Sequence, residues 1–225
     1  MSVVFTDSFT VGADANIDAY PATPDYAYTL GSGTNLTVNA ANDRVQKVDT
    51  ATDRCARIIN GAVPTGDQEI TATGFAASGT DDHGGLAARI KTDGTSNFYM
   101  GYRYLTGTHS DIYRVTAGPT FTNIAAQTST AAGAQTLVFK ATGAGATVAL
   151  SWKVGAEAAL TFNDTNAARH VSGVPGIYMY GDTANVPWVD DISVDDLAAG
   201  GVTTEYVAPV AEFQGMGAMI GRQYV

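Results

Sequence analysis

The feature that most constrains this chain is a two-residue alternation of apolar and polar side chains, which recurs along most of its length. In "TVALSWKV" every second residue from Val148 to Val154, including Trp152, is apolar. Successive side chains of a strand point to opposite faces of a sheet, so this segment presents one apolar face. In "NFYMGYRYL" Tyr99 and Tyr102 fall on opposite faces, and both faces carry large side chains. Both patterns are typical of strands packed between two sheets.

Many short segments of this kind follow one another along the chain. They are separated by turn signals such as "KTDGTSN", "ATGAGAT" and "VSGVPG", spaced about 8 to 12 residues apart. No segment has the length of an ordinary helix, since "STAAGAQ" is short and interrupted by glycine. The pattern therefore predicts an all-β protein, built as an antiparallel sandwich or barrel.

Composition and charge exclude several classes of partner. The chain has 225 residues, 45% of them hydrophobic and 15% charged, which suits a globular core. Its net charge of −10 argues against a nucleic-acid partner, because phosphates are bound by clustered Lys and Arg. No stretch approaches the roughly 20 apolar residues of a membrane-spanning helix, so we expect no membrane insertion.

The single cysteine and the N-terminal sequence bear on the compartment in which the protein is made. Cys55 is the only cysteine, so no intrachain disulfide is possible, and its strand-like context "RCARIIN" predicts a small buried apolar residue. "MSVVFTDSFT" has neither a basic region nor a long apolar region, so it does not have the pattern of a signal peptide. We expect the protein to be made in the cytoplasm.

Several segments, read in order, resemble the concanavalin A-like lectin/glucanase superfamily and its laminin-G-like jelly-roll members. "FTDSFT" resembles the "F-x-D-x-F" of the first strand, and "GGLAARIKTDGTSNFYMGYRY" resembles the family hairpin "aGlvfR…nfYylr". "QTLVFKATGAGATVALSWKVGAEAALTFND" is similar to "l.v.v.Gs.i.v.vNG", and "VSGVPGIYMYGDTANVPWVDDISVDDL" to "sGrvGly…..a.fDdfsV". The resemblance extends over about residues 3–197.

The resemblance implies a two-sheet antiparallel β-sandwich whose first and last strands lie close together. Residues 1–197 are then a concanavalin A-like β-sandwich, and residues 198–225 are a linker and an extended C-terminal arm. It does not imply one activity, because this fold is found in lectins, glycosidases, adhesion modules and virion proteins.

Catalytic carboxylates are hard to find in this chain. The catalytic branch of the superfamily carries "E-x-D-x-x-E" on one strand, and none of Glu69, Glu157, Glu205 and Glu212 belongs to such a motif. Asp190 and Asp191 alternate on a strand, so they are poorly placed to converge on one bond. We therefore expect no enzymatic activity.

A structural calcium ion is an open alternative to ordinary polar contacts. If the terminal strands are neighbours, Asp7 lies near Asp190 or Asp191, although calcium requires six to eight oxygen ligands. Asp81, Asp82 and His83 in "GTDDHGG" are a second candidate, against a solvated turn.

The three histidines are far apart in sequence and lack the spacing of a zinc site. We expect all three to be surface loop residues: His83, His109 and His170.

A glycan contact is the main alternative to packing for one aromatic residue. Lectin-like sites stack a sugar on an exposed aromatic ring and add hydrogen bonds from Asp or Asn. Most of the tyrosines, and Trp152 above all, are predicted to lie in the core or half-buried on strands. Trp188 follows Pro187 beside "GDTANV" and is the best candidate for an exposed loop edge.

The closing segment "EFQGMGAMIGRQYV" departs from the family pattern. It carries apolar residues that would gain from burial: Phe213, Met216, Met219, Ile220 and Tyr224. It could be a flexible tail, an extra strand on its own domain, or an arm that docks on a neighbouring subunit through methionine and aromatic anchors.

Two functional hypotheses follow from these observations. The first is a non-enzymatic structural protein of a virus-like particle, such as a bacteriophage capsid-decoration or tail-associated protein, with the sandwich displayed outward. Its partners would be subunits of the same particle, as a homo-oligomer or with a capsid or tail protein. The alternative is a lectin-like module that binds host or surface glycans, with Trp188 as a contact.

Overall fold

The architecture was derived from a computed structural model of the full chain. The structure describes most of the sandwich predicted from the sequence, and its described residues are 2–20, 25–32, 35–49, 53–75, 83–104, 109–181 and 187–197.

The first of two large antiparallel sheets has six strands and contains both ends of the described chain. In spatial order its strands are β1 (Ser2–Asp7), β17 (Asp191–Asp196), β7 (Gln68–Phe75), β12 (Gln135–Thr142), β13 (Val148–Val154) and β14 (Leu160–Asp164).

The second large sheet has seven strands, also antiparallel. In spatial order they are β11 (Thr120–Thr128), β10 (His109–Thr116), β9 (Phe98–Tyr104), β8 (His83–Ile90), β15 (Val174–Tyr180), β6 (Asp53–Ile58) and β3 (Tyr26–Leu30).

A small third sheet and one short helical turn complete the described elements. The strands of this sheet are β16 (Trp188–Val189), β5 (Arg44–Lys47), β4 (Leu36–Asn39) and β2 (Ala15–Asn16). The helical turn is a three-residue 3-10 segment, Ile17–Ala19. Within the described ranges, no helix is long and apolar enough to cross a membrane.

The two large sheets pack face to face around an apolar core. Trp152 of β13 is fully buried, and its ring lies against the backbone of Gly101 in β9. The Trp152 Nε1–H donates to the Ser110 hydroxyl of β10 at 2.8 Å, which satisfies the polar atom of an otherwise apolar side chain. The all-β sandwich and the core position of Trp152 are therefore confirmed.

The terminal strands lie side by side, as the resemblance implied. β1 pairs antiparallel with β17, and Asp7 stands opposite Ile192. The Asp7 carboxylate accepts the hydroxyls of Tyr20 and Tyr26 at 2.8 and 2.9 Å and the backbone N–H of Phe9 at 2.8 Å. The "F-T-D-S-F" segment thus fixes the start of the chain to the sandwich.

Buried Arg89 lies near the end of the central strand of the seven-stranded sheet, where it is linked to the other large sheet and to neighbouring loops. Arg89 belongs to β8. Its guanidinium donates to the Gly143 carbonyl at 2.6 Å, and to the His170 carbonyl and the Asp67 carboxylate at 3.1 Å each. Its backbone N–H donates to the Gln68 side chain of β7 at 3.1 Å. These bonds replace the water that burial removes from the charge.

A second polar network is centred on Asp164, at the end of β14. Its carboxylate accepts the Tyr99 hydroxyl of β9 at 2.7 Å and the Arg114 guanidinium of β10 at 2.9 Å. Burial raises the pKa of Asp164, but the hydrogen bonds from Tyr99, the Asn166 amide and Arg114 outweigh it, so the pKa lies below its usual value.

The Trp152–Gly101 contact predicts a strong effect of adding one methyl group. A Cβ at Gly101 would lie 2.2 Å from the Trp152 ring, so Gly101→Ala must displace the ring or the strand. We expect the free energy of unfolding to fall by about 1–3 kcal/mol, measured by urea denaturation. Gly12→Ala is the control, because a Cβ there meets nothing within 4 Å. Equal stability of the two variants would contradict this packing.

The Asp164 network predicts an acid-sensitive contribution to stability. Because the pKa is lowered in the folded state, the stabilisation is present above the unfolded pKa of about 3.9 and is lost as pH falls through the folded pKa. Asp164→Asn should cost about 2–4 kcal/mol at neutral pH and flatten the acid limb of a plot of unfolding free energy against pH. The exposed Asp14→Asn, with the same charge change, should leave the acid limb intact.

Candidate functional site

The outer face of the seven-stranded sheet carries a concentration of aromatic side chains. In β9, Tyr99 and Gly101 face the other large sheet, where they contact Asp164 and Trp152. By alternation, Met100, Tyr102 and Tyr104 face outward. The sequence predicted this division of β9 into two faces but not which of them lies inside.

Strand register aligns these tyrosines with aromatic residues of neighbouring strands. Tyr102 and Tyr178 both stand opposite Gly85, one on each side of β8. In the next row, Tyr104 and Tyr180 both stand opposite His83. The small residue between Tyr102 and Tyr178 leaves their rings 6.1 Å apart between centroids.

Together these side chains form a concavity of about 300 Å³, which we call the tyrosine crevice. This volume is at the lower end of the range for small-molecule sites. Its lining residues come from six strands and are Asp53, His83, Met100, Tyr102, Tyr104, Tyr113, Phe121, Tyr178 and Tyr180.

Rings from distant strands converge on this crevice. The Tyr102 and Tyr113 centroids are 5.5 Å apart, and those of Phe121 and Tyr178 are 6.3 Å apart, although β11 and β15 are separated by three strands of the sheet. The sheet must therefore curl strongly, with β10 and β11 folding toward β15. Tyr113 and Phe121 stay half-buried, whereas Tyr102 and Tyr178 are almost fully buried.

His83 lies inside the crevice wall, which corrects the expectation of a surface loop residue. Its ring stacks on Tyr180 at 4.0 Å with an interplanar angle of 8°, and Tyr102 and Tyr104 lie 4.6 Å away. The pairing of β8 with β9 and β15 places it there, and neither pairing can be read from the residues near His83.

His170 is also buried, so the surface expectation was wrong for it as well. Its Nε2 lies 2.7 Å from the Val115 carbonyl, and its backbone N–H donates to the Tyr99 hydroxyl at 3.0 Å. Burial lowers the pKa of His170, which favours the neutral ring. His109, by contrast, is exposed, although it begins strand β10 rather than lying in a loop.

Asp53 is the only carboxylate among the described residues that line the crevice. Its Oδ1 accepts the Tyr178 hydroxyl, while its Oδ2 makes no hydrogen bond with any described residue. Burial and the negative charge of Asp53 raise the pKa of Tyr178 well above its ordinary value. The phenol therefore stays protonated and keeps donating to the carboxylate.

A second concavity, of about 410 Å³, lies beside the terminal strands. Hydroxyl groups dominate its lining, which consists of Thr6, Asp7, Ser8, Thr71, Thr73, Asp191, Ile192 and Ser193. None of the described residues that line it is an aromatic on which a sugar ring could stack. The Thr73 hydroxyl donates to Asp191 at 2.8 Å.

The calcium expectation can be tested at this second concavity. Asp7 and Asp191 do line it together, as neighbouring terminal strands require. The oxygens of Asp7 already accept three O–H and N–H donors, which leaves them little capacity for the six to eight oxygen contacts of a calcium ion, and structural calcium stays a prediction. No group of three or more metal-binding side chains occurs among the described residues, and Asp81 and Asp82 lie outside them.

Trp188 lies in the small third sheet and does not line the tyrosine crevice. It is half-buried in β16, pairs with Gln46, and has the Arg44 guanidinium 4.7 Å from its ring centre. One face of its indole is therefore occupied by a cation–π contact. Its role as a glycan contact stays a prediction.

The predicted anchors of the C-terminal arm lie outside the described residues, and so does the proposed boundary at residue 198. The last described strand ends at Asp196, and the Leu197 N–H donates to the Asp67 carbonyl at 3.0 Å. The arm hypothesis for Phe213, Met216, Met219, Ile220 and Tyr224 stays a prediction.

Comparison with solved structures places this architecture among known sandwiches. A protein of unknown function with a galectin-like fold from Bacillus subtilis is 10% identical, with 86% of this chain and 96% of that chain covered and a TM-score of 0.56. The endo-1,3-β-glucanase of Streptomyces sioyaensis is 11% identical, with 86% and 95% covered and a TM-score of 0.51. The fold is a galectin-like jelly roll.

A third structure of the same kind is the exoplasmic/lumenal domain of VIP36 in a Ca²⁺/Man₂-bound form. It is 11% identical, with 89% of this chain and 90% of that chain covered and a TM-score of 0.50. At such identities the likeness shows the fold alone. No family model and no curated protein matches the chain.

Proposed function

We propose that this protein is a carbohydrate-binding module without catalytic activity, and that its glycan site is the tyrosine crevice. The observation that carries the proposal is the convergence of six aromatic rings and one carboxylate in a small concavity. Sugars present apolar C–H faces and a rim of hydroxyls, which aromatic rings and polar side chains can bind together. The VIP36 domain of the same fold is itself described in a mannose-bound form.

The absence of catalytic activity is part of the proposal. Glycoside hydrolysis generally uses two carboxyl groups about 5 to 10 Å apart. Among the described lining residues Asp53 is the only acid, and the glucanase-type glutamate motif is missing from the sequence. Asp190 and Asp191 are also not among the residues of the crevice.

Two substitutions at half-buried rings test the location of the site. Tyr113→Ala and Phe121→Ala each remove a ring from the crevice wall and should weaken binding of the best glycan about fivefold to twentyfold, or roughly 1–2 kcal/mol. Binding is screened on a glycan array and then measured by calorimetric titration. Thermal melting of each variant checks that the sandwich stays folded.

Trp188→Ala serves as the matched aromatic control in the same titration. Because Trp188 packs under Arg44 and outside the crevice, its removal should leave glycan affinity unchanged. A large loss for Trp188→Ala with none for Tyr113→Ala would move the site to the small third sheet. No binding to any glycan would overturn the proposed function.

The particle-protein hypothesis rests mainly on the C-terminal segment, together with composition and the missing catalytic motif, and the named structural relatives give it no support. Its test is deletion of residues 205–225. We expect the shortened chain to remain a folded sandwich by circular dichroism and to lose incorporation into a particle formed by the full chain. Incorporation without the segment would contradict a docking role for Phe213 and its neighbours.

A further inference from the structure

We propose that the tyrosine crevice selects sugars that carry an ammonium group, namely 2-amino-2-deoxyhexose units with a free amine. This inference rests on the proposed function, since it names the class of glycan that the same site would take. It follows from the charge and the ring arrangement of the crevice, which favour a cation over a neutral or anionic group.

The aromatic rings supply the first part of the argument. The face of a phenol or phenyl ring carries partial negative charge and attracts an organic cation. Tyr102, Tyr113, Tyr178 and Phe121 bring such rings together from four different strands, with neighbouring centroids between 5.5 and 6.3 Å apart. A group entering between them contacts several rings at once and loses most of its water, which strengthens the attraction.

The carboxylate of Asp53 supplies the second part of the argument, a hydrogen-bond acceptor for the ammonium group. Its Oδ1 is already bound to the Tyr178 hydroxyl, but its Oδ2 has no hydrogen-bond partner among the described residues. An ammonium group has three N–H donors and no acceptor, so it can bond both to this oxygen and to the lone pairs of a tyrosine hydroxyl.

The remaining charges point the same way. The described lining of the crevice contains no Lys or Arg, and its basic group is His83, whose ring is held against Tyr180. The whole chain carries a net charge of −10, which attracts cations and repels uronic acids and sulfated sugars at long range.

The selection of ammonium sugars can be tested with three oligosaccharides that differ only in the substituent at C2 of each sugar ring. Chitosan hexamer carries an ammonium group at C2, chitin hexamer an acetamide, and cellohexaose a hydroxyl, on the same β-1,4-linked backbone. Calorimetric titration at one pH below neutrality keeps the amines protonated and gives all three ligands the same conditions. We expect the chitosan hexamer to bind roughly tenfold more tightly than either neutral hexamer.

Two variants with the same charge change separate a local effect from a global one. Asp53→Asn should abolish most of the preference for the ammonium sugar, because the shape of the side chain is kept and its charge is lost. Asp93→Asn should keep the preference, because Asp93 lies in the turn between β8 and β9, at the opposite end of these strands from His83 and Tyr104. Thermal melting confirms that both variants fold.

Salt provides a second measurement that needs no variant. Raising the ionic strength should weaken binding of the chitosan hexamer and leave any binding of cellohexaose unchanged.

The outcomes distinguish the selection of ammonium sugars from the proposed glycan site itself. Equal or tighter binding of a neutral hexamer would overturn the ammonium selection and leave the proposed glycan site standing. An unchanged preference in Asp53→Asn would also overturn it. Failure of all three hexamers together with every glycan on the array would overturn both proposals.

Discussion

The contact between Trp152 and Gly101 is the interaction on which the rest of this structure depends. It brings the two large sheets together at a position where one of them has no side chain, and the bond to Ser110 fixes the indole in that place. Because Gly101 must face Trp152, the alternate residues of β9 have to face outward. The position of Tyr102 in the crevice is thus a consequence of core packing.

The buried charges have a related effect on the rigidity of the sandwich. Arg89 and Asp164 each bond to groups from several strands and loops, so moving one sheet against the other would leave a buried charge without its partners. The tyrosine crevice, whose lining residues come from six strands, depends on one arrangement of the two sheets.

The sequence predicted much of the fold and little of the site, for one physical reason. Alternation is local, so the two faces of β9 and the burial of Trp152 could be inferred from neighbouring residues. The convergence of Tyr102, Tyr113 and Tyr178 depends on pairing between strands far apart in the chain and on the curl of the sheet. His83 could not be placed for the same reason, because Tyr104 and Tyr180 reach it only through strand register. Trp188 was singled out as exposed from its position after Pro187, and its contact with Arg44 could not be inferred because Arg44 is distant in sequence.

The hydroxyls of Tyr102 and Tyr178 stay protonated, which suits the proposed binding role better than acid–base chemistry. Burial is the largest cause of a raised pKa at both Tyr102 and Tyr178, and neighbouring phenols or Asp53 raise it further. A general acid or base is most effective when its pKa lies near the working pH, which these phenols do not approach. They remain neutral hydroxyls that can donate and accept hydrogen bonds. The Tyr178 hydroxyl already donates to the Asp53 carboxylate beside it. The same burial that keeps these phenols protonated also keeps the aromatic surface dry, which the proposed binding of a sugar ring and a cationic substituent requires.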